Sequence, residues 1–302
     1  MMSFFASPRP DAVANRLALE ASGAASSPKA GDVPEPEPQV DTYRALFISD
    51  VHLGSRNSQA DLLLDFLKYN EAETIYLVGD IIDGWRLKKQ WYWPQSHNDV
   101  VQKLLRKARK GAKVIFVPGN HDEFARDYLD QNFGGIVVRD SDIHETADGR
   151  RLLVIHGDQF DIVVSNARWL AFLGDWAYEF ALYFNSRFNR VRRMLGFEYW
   201  SFSAWAKLKV KKAVNFIGSF EQVLAGEAQR QGADGVVCGH IHHAAIRQIG
   251  EVLYLNTGDF VESCTALAER HDGSLVILRW SDVVAARNNA RVKPASDVAV
   301  AA

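Results

Sequence analysis

The chain has 302 residues, 47% hydrophobic and 24% charged, an ordinary globular composition with enough length for one enzyme-sized domain and its core. A formal net charge of −2 excludes global attraction to nucleic acid or anionic membranes, so electrostatic binding must come from a local patch. No apolar run reaches the roughly 18 residues that suggest a spanning helix, and Cys238 and Cys264 form neither a CxxC unit nor a spaced framework, which fits a reducing, cytoplasmic setting.

Residues 1–40 are rich in Ala, Ser and Pro, with Pro34, Pro36 and Pro38 alternating with acidic or polar neighbours, and they lack the apolar stretch of a signal peptide; they read as a disordered tail. From residue 41 to 285 short Val, Ile and Leu runs alternate with segments of helical spacing, the pattern of a layered α/β domain. The spacing predicts strands over 44–49, 75–78, 113–117, 152–155, 235–238, 252–256 and 274–279. It predicts covering helices over 60–69, with Leu62, Leu63, Phe66 and Leu67 on one face, and over 98–110, with Val101, Leu104 and Leu105. Residues 286–302 turn Ala, Val and Asn rich from about Arg287 and read as a flexible tail.

The first five predicted strands run into Asp, Asn or His, and in open α/β sheets ligands sit beyond the carboxyl ends of strands. Asp50-Val51-His52 leaves the first strand with its two polar side chains on one side, able to share a cation. Gly79-Asp80 follows the second, with Asp83 three residues on, and Asp80 is the candidate bridge between two metals. Gly119-Asn120-His121-Asp122 gathers an amide, an imidazole and a carboxylate, although Asn120 or Asp122 could equally cap a helix. His156-Gly157-Asp158 ends the fourth strand, where a lone histidine is more often hydrogen bonded than metal bound. Gly239-His240-Ile241-His242-His243 places two imidazoles two residues apart, a metal-ligand spacing. Asn256-Thr257-Gly258-Asp259 reads as a turn in the site wall. Each motif alone has a bland reading; their shared strand-end placement does not. The mixed N and O set suits Mn²⁺ first, then Fe or Zn²⁺, over Mg²⁺ or Ca²⁺.

In this order the five blocks resemble the calcineurin-like metallophosphoesterases across residues 43–280. The resemblance implies two mixed sheets flanked by helices, with a helical cap inserted over about 160–228. It implies one metal held by Asp50, His52, Asp80 and His242, and a second by Asp80, Asn120, His156 and His240. It implies His121 as the phosphate partner or leaving-group acid, with Asp122 orienting it. An imidazole titrating near neutrality suits that task. Gly79-Asp80-Ile81-Ile82-Asp83 with Trp85 and the insertion is similar to UDP-2,3-diacylglucosamine hydrolases, which split a pyrophosphate to release UMP and a lipid phosphate. Gly-Asn-His-Asp at 119–122, in place of Gly-Asn-Arg-Asp, is closer to the paralogous branch of those enzymes.

The segment between His156 and His240 exceeds what a crossover needs and carries aromatics including Trp169, Phe172, Trp176, Trp200 and Trp205. Between Arg187 and Lys212 eight Lys and Arg face one acid, Glu198. Basic and aromatic faces together predict a peripheral contact with the cytoplasmic membrane face and a lipid-phosphate or nucleotide-lipid substrate. The aromatics recur at helical spacing with Leu and Ala, which speaks against a stacking platform for nucleic acid. The alternatives are a soluble phosphodiesterase or phosphatase with a polar substrate, and a non-catalytic scaffold, against which the intact ligand set argues.

Overall fold

A computed structural model describes residues 40–163 and 217–292. Residues 1–39 of the tail expected over 1–40, most of the cap and residues 293–302 lie outside the described residues. No helix among the described residues is long and apolar enough to cross a membrane.

Two mixed sheets face each other. The first contains β1 (Asp41–Ile48), β2 (Asn70–Val78), β3 (Lys113–Val117), β4 (Asn132–Phe133), β5 (Ile136–Val138), β11 (Thr265–Glu269) and β12 (Leu275–Arg279), in the order β12-β11-β1-β2-β3-β5-β4. The second contains β6 (Asp142–Glu145), β7 (Arg151–Val154), β8 (Gly235–Cys238), β9 (Ala245–Ile249) and β10 (Val252–Asn256), in the order β6-β7-β8-β10-β9. The centre of each is parallel: β1, β2, β3 and β5 in one, β7, β8 and β10 in the other. Such strands are covered on both faces and so read as unbroken apolar runs, which is why the sequence pattern found them.

Alternation along each strand divides the core. Ala45, Phe47, Tyr76, Val78, Ile115 and Val117 meet Leu152, Val154, Val237 and Leu255 of the opposite sheet. Their neighbours Leu46, Ile48, Ile75, Leu77 and Val114 point outward under α1 (Ala60–Tyr69) and α3 (Gln95–Arg109), where Leu63, Phe66, Val100 and Leu104 are buried. On the far side Leu153, Ile155, Val236 and Tyr254 pack beneath α4 (217–230) through Phe220, Leu224 and Ala228.

Several elements escaped the sequence pattern. β11 reads Thr-Ala-Leu-Ala-Glu, poor in β-formers, yet it is wholly buried between β1 and β12, so pairing overrides propensity. Its Glu269 is tolerated because His144 Nε2 lies 2.6 Å away and Ala147 donates its N–H at 2.7 Å. Past Arg287, where fraying was expected, α5 (Trp280–Val292) continues. The Arg287 guanidinium lies 4.4 Å from the Tyr69 ring centre and 4.6 Å from that of Trp280, which ties this part of the helix down.

Both cysteines are free and buried, and burial pushes the Cys238 thiol up to about 12 and the Cys264 thiol up to about 11. The folded protein at pH 8 is therefore expected to leave both unmodified by Ellman's reagent, whereas denaturation exposes both. Fast labelling of the native protein would contradict this burial.

Candidate metal centre

The carboxyl ends of β1, β2, β3, β7 and β8 meet at one edge of the sandwich. Asp50 N donates to Gly79 O at 3.0 Å and His52 N to Asp80 O at 2.9 Å, which pins the loop after β1 onto the loop after β2. Contacts at this edge also join the two sheets. Phe260 N donates to Asp50 O at 3.0 Å, Ser49 Oγ bonds Thr257 Oγ1, and His156 Nδ1 lies 2.9 Å from Val78 O. A carbonyl only accepts, so His156 Nδ1 holds the proton and Nε2 is left facing the site. The Asn256–Asp259 turn serves as wall: Asn256 Nδ2 donates to Gly239 O at 2.7 Å, and Asp259 accepts the backbone N–H of Val261 at 2.8 Å.

Backbone strain is concentrated here. Asp50 (φ 50°), His52 (52°), Asp80 (53°), His240 (70°) and His242 (53°) all adopt the left-handed region without being glycine. Each such residue costs about 1–3 kcal/mol unless its surroundings fix it, so five in one site mark a constellation held for function. Gly79, at φ +74°, is squeezed as well: a Cβ would collide with the His156 ring. Gly79→Ala is expected to lower stability by about 3 kcal/mol or more, combining left-handed strain with displacement of a buried ring. Chemical denaturation measures it; a loss under about 1 kcal/mol would contradict the packing described.

The expected ligands gather. Asp50, His52 and His242 offer atoms within 4.8 Å of one another, as do Asp80, His156 and His240. His52 Nε2 lies 3.8 Å from Asp80 Oδ2 and links the two sets. Polar atoms that are buried yet lack a hydrogen-bond partner include Asp50 Oδ1, His52 Nε2, Asp80 Oδ2, Asn120 Oδ1 and His156 Nε2. Outside the site, among the described residues, only the Ser58 and Ser274 hydroxyls share that condition. His242 Nε2 is 3.1 Å from Asp50 Oδ1 and His156 Nε2 is 3.4 Å from Asp80 Oδ1, near enough for charge attraction but without hydrogen-bond alignment at the oxygen of Asp50. Burying donor atoms unpaired is costly unless something else binds them, and the set fits divalent metal ions.

The electrostatics point the same way. Burial pushes the Asp50 and Asp80 carboxyls upward, but neighbouring imidazoles, His242 and His156 foremost, outweigh it and hold both well below the usual carboxylate range. Burial would lower His156, yet the Asp80 carboxylate raises it to about 10. A site that binds a proton so firmly is a site of negative potential, built for a cation.

Asp122 departs from the expected role. Its carboxylate does not orient His121, nor does it cap the following turn. It accepts backbone N–H groups from Asp80 at 3.2 Å, Ile81 at 2.7 Å, Ile82 at 3.2 Å and Gly119 at 2.6 Å. Burial, reinforced by the Asp80 charge, pushes it up to about 6. Asp122 thus fastens the loops that carry Asp80 and Asn120. The carboxylate beside His121 is Asp83, whose Oδ1 is 3.0 Å from His121 Nδ1 and whose Oδ2 is 3.5 Å from His52 Nδ1. Asp83 also caps α2 (Gly84–Lys89) by accepting Arg86 N at 2.9 Å. Its spacing from Asp80 was visible in the sequence, but its partner was not. The Trp85 ring covers His121 at 4.2 Å between centroids. Asp158 binds Arg126 through both carboxylate oxygens, at 2.9 and 2.8 Å, and Arg126 reaches Pro118 O at 3.2 Å, so it braces the strand ends of β3 and β7.

This arrangement is matched by the family model for calcineurin-like phosphoesterases over residues 43–244. The chain belongs to the calcineurin-like phosphoesterase family. Within that family's reach, a UDP-2,3-diacylglucosamine hydrolase of Neisseria meningitidis is 30% identical over 118 residues, covering 38% of this chain and 48% of the relative. The DNA polymerase II small subunit of Methanothermobacter thermautotrophicus is 26% identical over 172 residues, covering 46% of this chain and 35% of the relative. The chain spans about half the length, or less, of the curated relatives it matches. Among solved structures, Yfce, a phosphoesterase from E. coli, covers 78% of this chain and 98% of its own at 15% identity and a TM-score of 0.38, too low to add to the calcineurin-like assignment.

Proposed function

We propose that this chain is a two-metal phosphoester hydrolase that cleaves a phosphate or pyrophosphate bond in a lipid-linked substrate, with UDP-2,3-diacylglucosamine the first candidate. The observation that carries the reading is the convergence of five buried, unpartnered donor atoms around two carboxylates held in ionised form. Asp50, His52, Asp80 and His242 would hold one ion and Asp80, Asn120, His156 and His240 the other, with Mn²⁺ the preferred metal on donor type. Ions held there would supply Lewis-acid polarisation of a phosphoryl oxygen and lower the pKa of a water.

The chain's own groups supply the rest. Asp50, Asp80, His156 and His240 are at most 1% exposed, so charge interactions among them are little screened by water. His121, with Nδ1 fixed by Asp83, keeps Nε2 4.0 Å from Asp80 Oδ2, at the edge where a leaving oxygen needs a proton. The lipid-linked part of the reading is supported by the Neisseria relative and by the basic, aromatic sequence of the cap segment.

The test is turnover of bis(p-nitrophenyl) phosphate and of UDP-2,3-diacylglucosamine after chelation and after Mn²⁺ is restored, with metal content per chain in parallel. Both activities should vanish and return, and saturating metal at about 100 times its Kd should add about 2.7 kcal/mol of stability. A chain that binds no transition metal and hydrolyses neither compound overturns the hydrolase reading. Hydrolysis of the simple diester alone overturns only the lipid substrate.

A further inference from the structure

The stretch from α2 to Trp93 reads Gly-Trp-Arg-Leu-Lys-Lys-Gln-Trp-Tyr-Trp and contains no acidic residue. One of its faces is explained by packing. Leu87 sits so close over Gly54 that a Cβ there would come within 2.7 Å of its Cγ. Tyr92 and Trp93 set their rings edge-on against the buried His97, at 5.7 and 5.6 Å between centroids. His97 Nδ1 in turn accepts Gly54 N at 2.9 Å, which fastens the whole segment to the loop carrying Asp50 and His52.

The other face has no such explanation. Trp91 is 74% exposed and Trp85 43%, and between them Arg86, Lys88 and Lys89 are all exposed. Arg56, from the loop after β1, adds a fourth exposed cation with its guanidinium 4.6 Å from the Tyr92 ring centre. An exposed indole costs free energy in water, and three cations with no acid among residues 84–93, joined by Arg56, make a local positive field on a chain whose net charge is −2. Tryptophan set among Lys and Arg is the combination that settles at the headgroup level of an anionic bilayer, the ring entering the interface and the ammonium groups meeting phosphates. The position matters as much as the composition, since Trp85 covers His121 and the segment borders the mouth of the metal centre.

We propose that residues 84–93 form a docking surface for an anionic phospholipid bilayer, which holds the metal centre at headgroup depth. The proposal deepens the lipid-linked reading above and rests on it for its purpose. It places a membrane contact on α2 and its loop, a segment distinct in sequence from the basic stretch at 187–212.

The experiment is co-sedimentation of the full chain with vesicles of phosphatidylcholine alone and of phosphatidylcholine mixed with phosphatidylglycerol. Diester turnover, and turnover of UDP-2,3-diacylglucosamine in neutral detergent micelles, are measured in parallel. The full chain should bind the anionic vesicles only, and less as salt rises. Lys88→Glu with Lys89→Glu should weaken binding about tenfold or more, and Trp91→Ala several-fold, while the diester rate in all variants matches the parent because these side chains lie outside the metal site. Unchanged vesicle binding in both variants overturns the proposal, since the contact then lies elsewhere. So does capture of single-stranded oligonucleotide in preference to vesicles, lost in Trp91→Ala. Micellar substrate turned over without any vesicle binding overturns the docking surface and leaves the lipid substrate standing; loss of diester turnover in the parent chain instead strikes the hydrolase reading.

Discussion

Asp80→Asn is expected to reduce turnover by about three orders of magnitude or more, equivalent to roughly 4 kcal/mol of barrier. The carboxylate has no exposure; one oxygen is hydrogen bonded and the other is buried without a hydrogen-bond partner. Oδ1 accepts His121 N at 2.9 Å and stands 3.4 Å from His156 Nε2; Oδ2 stands 3.8 Å from His52 Nε2. The amide keeps the shape and removes the negative charge, and an amide nitrogen cannot ligate a cation. Metal content per chain should therefore fall together with the diester rate. Parent-like turnover with parent-like metal content would refute Asp80 as the bridge.

His121→Asn is expected to separate chemistry from metal binding. It should cost about 10² to 10⁴ in kcat, the range for a positioned acid, while metal content stays at the parent level. Asp83→Asn should cost about 10- to 100-fold, the size of losing a group that orients another. Because the two residues share one hydrogen bond at 3.0 Å, the double variant should be little slower than His121→Asn alone. Strict multiplication of the two losses would argue against Asp83 acting through His121. Asp122 provides the contrast: its carboxylate holds four backbone N–H groups. Its replacement should disturb stability and metal binding together rather than kcat selectively.

The layered α/β pattern and the polar residues at the strand ends were legible because the physics behind them is local, whereas the division of the strands into two sheets came from the family resemblance. Strands β1, β3, β7, β8 and β10 are apolar runs buried on both faces, and such runs announce themselves. Asp, Asn and His at the point where an apolar run stops are conspicuous for the same reason. The beginning of β2 was not legible, since Asn-Glu-Ala-Glu-Thr is extended only because β1 pairs with it from Asp41 onward. Nor was β11, whose alanines become strand residues by lying between two partners.

The sequence by itself determined which residue types stand at the strand ends, and with them the family and the chemistry of the donor set. Only the tertiary structure decided which carboxylate serves which neighbour. Asp83 and Asp122 have comparable claims on His121 when read along the chain, and Asp122 is adjacent to it. The loop after β3 turns Asp122 inward under the backbone of Asp80–Ile82, while the cap of α2 brings Asp83 to the imidazole. Side-chain partnerships at a loop depend on where two separate segments come to rest, and that is fixed by packing far from either residue.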